Sequence, residues 1–95
     1  MDTNAFEARL REEGYAEIVT NKVEGPKETP LHTHPFDAFA MITAGEMSVV
    51  CGSETYTCRA GDTFRLEAGR EHLERYGAQG ATYVVGRRRV ETRAA

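Results

Sequence analysis

The chain lacks a long apolar stretch, an excess of basic charge and a cysteine framework, and each absence removes a class of function. No run approaches the roughly 20 apolar residues of a membrane helix, so no membrane partner is expected. Met1-Asp2-Thr3-Asn4 has neither the basic start nor the apolar segment of a secretory signal. The 12 basic residues are outnumbered by 15 acidic ones, giving a net charge of −3, so a nucleic-acid binder working through a basic surface is not expected. Cysteine is limited to Cys51 and Cys58, with no Cys-x-x-Cys pair to suggest a zinc ribbon. Cys51-Gly52 reads as the tip of a hairpin, which places Cys58 well below the tip and too far away for a disulfide. Two free thiols point to a reducing compartment, and hence to the cytoplasm.

What is present is a short globular composition: 95 residues, 40% hydrophobic and 28% charged. One domain is expected over residues 1–95. A chain of this size buries only about 60–70% of its unfolded surface. Its core is therefore expected to be completed by a metal or a partner subunit.

Asn4 and Glu7 have capping-box spacing and open a helix over 5–13, with Phe6 and Leu10 on one face and Gly14 as the stop. Beyond it the period becomes strand-like. Strands are expected over 15–23, 36–43, 47–50, 55–58, 63–66, 72–76 and 81–85, separated by glycine-rich turns. Regular short strands of this kind read as an antiparallel sandwich or barrel. Arg87-Arg88-Arg89 reads as a solvated strand end, with contact to phosphate or an acidic partner as the alternative, and 91–95 as a frayed tail.

Histidine occurs three times, as His32, His34 and His72. On an extended strand His32 and His34 point to the same face about 7 Å apart, a spacing that suits two nitrogens converging on one ion. Neutral imidazole favours borderline metals such as Zn, Fe, Ni and Cu. Strand parity then turns Phe36, Ala38, Ala40 and Ile42 inward with the histidines and Asp37 outward, unless a bulge after Pro35 shifts the phase. The same parity places Glu74 and Tyr76 on the face of His72.

Two motifs resemble those of the cupin family of small β-barrels, within the RmlC-like superfamily. Gly25, six residues, His32-Thr33-His34 and then Gly45 resemble the first motif. Gly61, five residues, Glu67-Ala68-Gly69, two residues and His72 resemble the second. The chain departs from the family where Ala38 stands at the usual glutamate ligand, Glu67 at the motif proline and Tyr76 at the motif asparagine. The resemblance implies an all-β double-stranded β-helix, or jelly-roll barrel, over about 15–90, preceded by the short α-helix. It carries the family's three histidine ligands over to His32, His34 and His72.

For a fourth ligand the candidates are Glu74 and Asp37, with the further option that there is none. The implied cofactor is a divalent transition metal: Fe, Ni, Zn or Mn. The implied activity is metal-dependent dioxygenase or isomerase chemistry on a small molecule, with Tyr76 and Glu74 as catalytic acid/base candidates. The alternatives are a non-catalytic module for a metal or small ligand, and a degenerate barrel without metal. A homodimer is expected, because the helix and the strand over 15–23 offer apolar and edge surface that so small a barrel cannot cover.

Overall fold

A computed structural model describes residues 2–90; the expected frayed tail over 91–95 lies outside the described residues. The elements run α1 (Thr3–Glu12), β1 (Glu17–Val23), β2 (Lys27–Glu28), β3 (Phe36–Cys51), β4 (Glu54–Arg59), β5 (Thr63–Leu66) and β6 (Leu73–Arg89). All pairings are antiparallel, in the order β1-β6-β3-β4, with β2 added to β6 and β5 to β3. This is the jelly-roll architecture expected from the sequence.

The helix starts earlier than its capping-box spacing suggests. Asp2 caps it by accepting the Ala5 amide at 3.0 Å, in place of Asn4. A carboxylate accepts a backbone N–H more strongly than an amide oxygen does. At the other end Gly14 takes φ +86° and its amide bonds to Arg11, so the expected stop is where the chain turns.

Four of the expected strands merge into two. Those over 36–43 and 47–50 are one strand, β3, and those over 72–76 and 81–85 are one strand, β6. The glycines between them make bulges inside a continuing ladder, with register shifts between Ile42 and Ala44 and between Gly45 and Met47. Gly45 and Gly80 both have positive φ, +77° and +70°. A Cβ on Gly45 would collide with the Gly80 carbonyl, and one on Gly80 with the Val23 carbonyl. These positions therefore bend the sheet by letting three backbones touch.

Across the bulged stretch of β3 the side chains that face the core change parity once. Ala38, Ala40 and Ile42 point inward from the first half of β3, and Met47, Val49 and Cys51 from the second. The outward residues Phe39 and Met41 are also buried, because α1 lies over them. Phe6, Leu10, Tyr15, Phe39, Met41 and Val84 form a second cluster there, with the Phe6 and Phe39 rings edge to face at 5.0 Å. The apolar face of the helix is thus covered by its own sheet. Cys51 and Cys58 are free and buried; Met47, not Cys51, pairs with Cys58.

Candidate metal centre

His32 sits in the loop after β2, and His72 just before β6. Their backbones join in an isolated bridge, with His32 N–H donating to the His72 carbonyl at 2.9 Å and the reverse bond at 3.0 Å. His34 follows on the same face, and its carbonyl accepts the Gly69 amide at 2.9 Å. Ring centroids of His32 and His72 are 4.4 Å apart, those of His32 and His34 4.8 Å, and those of His34 and His72 5.1 Å. Glu74 joins them from β6. One ligand atom from each of the four residues lies within 4.8 Å of the others. The three histidines expected to converge do so, and parity from His72 places Glu74 correctly.

The hydrogen bonds around the rings set their chemistry. His32 Nδ1 lies 2.7 Å from the Pro30 carbonyl and His72 Nδ1 lies 2.9 Å from the Arg70 carbonyl. A carbonyl only accepts, so both Nδ1 atoms carry a proton, and in the neutral ring each Nε2 is left with its lone pair. Those lone pairs face Glu74 Oε2 at 3.2 Å from His32 and 3.3 Å from His72. His72 is 1% exposed and its Nε2 has no hydrogen-bond partner. Burial, helped by the neighbouring imidazoles, pushes the His34 pKa below its ordinary value and favours its neutral ring. With the rings neutral, several acceptors converge with no donor between them, an arrangement that costs free energy unless a cation satisfies it. The residues present fit a divalent ion: neutral imidazoles with carbonyl-anchored Nδ1–H groups and one carboxylate.

Glu74 is itself held from behind. Tyr76 donates its hydroxyl to Glu74 Oε1 at 2.6 Å, and the Tyr83 hydroxyl stands 3.4 Å from that of Tyr76. Asn21 on β1 donates to the Tyr83 hydroxyl at 3.3 Å. Burial first, then the Glu74 carboxylate, pushes the Tyr76 hydroxyl far above its ordinary pKa, so the proton stays on the phenol oxygen. Sequence reading passed over Tyr83 and Asn21; the signal for Tyr83 was hidden by the phase reversal at Gly77–Gly80.

Asp37 stands apart from the group. Its carboxylate accepts the Ala68 amide at 2.9 Å and pairs with Arg88 at 3.0 Å. These two contacts, the amide first, hold its pKa below the ordinary value. It fastens the loop after β5 to β3. The arginine triplet also divides. Arg88 binds Asp37 and the Glu13 carbonyl, Arg89 binds Glu17, and Arg87 lies over the Phe36 ring at 5.0 Å. The histidines, Glu74, Tyr83, Phe36 and Arg87 are among the residues that line one cavity of about 240 Å³ at the mouth of the barrel.

A cupin domain family model matches residues 21–85. No curated protein matches the chain. Among solved structures, a conserved protein of unknown function from Streptococcus pyogenes superposes with a TM-score of 0.68 at 24% identity, over 79% of this chain and 65% of that one. A cupin-2 domain containing protein from Shewanella frigidimarina does so at 0.63 and 22% identity, over 75% and 69%. KdgF from Halomonas sp. does so at 0.65 and 17% identity, over 78% and 69%. The chain therefore spans about two thirds of the length of each of these structures. Their likeness is one of fold.

Proposed function

This chain belongs to the cupin domain family, and from that premise we propose that it holds a divalent transition metal, Fe, Ni, Zn or Mn, through His32, His34, His72 and Glu74, and uses it to bind a small molecule in the barrel mouth. The observation that carries this reading is the buried, unpartnered Nε2 of His72, aimed at a carboxylate that also lacks a donor on that side. In this reading Glu74 takes over the role of the family's missing glutamate from the opposite strand, because Ala38 offers no ligand. A bound divalent ion would supply Lewis-acid chemistry to an oxygen-bearing ligand. The chain's own residues do the rest. Pro30 and Arg70 fix the imidazole tautomers through their carbonyls, and Tyr76 fixes the rotation of the Glu74 carboxylate. Phe36, Phe64, Leu66 and Val85 exclude water from one side of the cavity.

The finer reading is an enzyme of dioxygenase or isomerase type, and its coarser counterpart is a binding module. Oxygen uptake and product analysis with Fe(II)-loaded protein separate the two. Pairing of two chains belongs to the same proposal. It rests on the outer edge of β1, which has β6 as its one strand partner among the described residues. The helix no longer contributes, since its apolar face is covered.

Metal analysis of untagged protein tests the site. The expected result is about one divalent ion per chain, lost on substitution His32→Gln, with a melting temperature that falls on adding chelator. Protein without stoichiometric metal, whose melting temperature ignores the chelator, overturns the reading.

A further inference from the structure

Arg87 is the one arginine of the 87–89 triplet that points into the cavity. β6 turns Tyr83, Val85 and Arg87 toward it and sends Arg88 to the other side. Arg88 and Arg89 each pair with an acid, whereas Arg87 has no carboxylate partner among the described residues. Its guanidinium lies over the Phe36 ring, a contact that orients the plane and leaves the N–H donors free of hydrogen-bond partners among the described residues.

The sheet register explains why this cation meets no carboxylate among the described residues. Arg87 lies directly across from Ala38, where cross-strand Cβ atoms are about 4.5–5.5 Å apart. Ala38 is also the position at which the cupin motif places a glutamate. A carboxylate there would neutralise Arg87, and in this chain the carboxylate of the site comes from Glu74 instead. With a divalent ion, neutral imidazoles, Glu74 and Arg87, the cavity carries a formal charge of +2. A vessel of about 240 Å³ with that charge and an apolar wall is built for a small anion.

We infer that Arg87 binds the carboxylate of a small organic acid, whose other oxygen-bearing end faces the metal site. The planar fork of a guanidinium matches a carboxylate with two parallel hydrogen bonds. The apolar wall suits a carbon skeleton, which inorganic phosphate lacks. This inference rests on the metal reading above.

The test uses untagged, Co(II)-loaded protein and follows its visible absorption during titration with malonate, with the neutral malonamide and with inorganic phosphate. Malonate is expected to bind at least about tenfold more tightly than malonamide. Arg87→Gln is expected to keep its cobalt and lose that preference, with Arg87→Lys intermediate. Ala38→Glu, which puts a carboxylate opposite an intact Arg87, is expected to lose it too. Equal affinity for malonate and malonamide in the unaltered protein, an undiminished preference in Arg87→Gln, or tighter binding of phosphate than of malonate overturns the inference and leaves the metal site standing. Failure of the unaltered protein to take up cobalt overturns the metal reading itself.

Discussion

The hydroxyl of Tyr76 is bound to one oxygen of Glu74 at 2.6 Å while the other oxygen of the same carboxylate faces His32 and His72. Two residues on one strand thus divide the carboxylate between a fixed neutral donor and an open, acceptor-rich side. The donor is locked in turn by Tyr83 and Asn21.

Removing that donor is expected to loosen the site without dismantling it. Tyr76→Phe leaves Glu74 Oε1 without its hydroxyl partner in a half-buried position. Partners behind a metal ligand are commonly worth about 10–100-fold in affinity. We expect a loss of about tenfold in metal affinity and about 1 kcal/mol in stability. Competition with a chromophoric chelator measures the first and urea denaturation the second.

Gly86 tests the opposite face of the same strand. A Cβ at this position would lie 2.8 Å from both Leu10 Cδ2 and Tyr15 Cβ. The leucine tip can swing away, but the tyrosine Cβ is fixed to the backbone. Gly86→Ala is expected to lift α1 and cost about 1–3 kcal/mol, as overpacking does. Metal content should stay as it was, because the helix and the histidines lie on opposite faces of the sheet. Urea denaturation alongside metal analysis checks both statements.

Asp37 gives the fold an acid-sensitive brace. The Ala68 amide and Arg88 depress its folded pKa below the ordinary 3.8, so the folded state favours the ionised carboxylate. The stability it contributes is complete above about pH 5 and is lost as pH falls through the depressed folded value. Asp37→Asn is expected to cost about 1 kcal/mol at pH 7, a modest figure because the ion pair is partly exposed. The gap between the two proteins should narrow as pH falls below the ordinary 3.8. Urea midpoints compared across that range read the effect directly.

The parts of the site legible in the sequence are those that need only local geometry. His32 and His34 share a face because two residues separate them, and Glu74 shares one with His72 for the same reason. Tyr83 and Arg87 were not legible. Counting by twos from His72 sends Thr82, Val84, Gly86 and Arg88 inward, whereas the structure turns Ala81, Tyr83, Val85 and Arg87 that way. The reversal happens between Tyr76 and Ala81, where β6 bulges against Gly45 and Glu46. A glycine announces that the chain can bend there. Whether it ends a strand or kinks it depends on a partner strand far away in sequence. The same limit split β3 and β6 into four pieces.

The backbone bridge between His32 and His72 ties the loop after β2 to the start of β6. In the unfolded chain only the pairs His32–His34 and His72–Glu74 remain near one another, so the four-residue group exists only once the barrel has closed. An ion that prefers this group rewards closure. On the proposed metal reading the folded fraction of the protein follows metal supply, and scarcity of the ion leaves a larger share of open chains exposed to proteolysis.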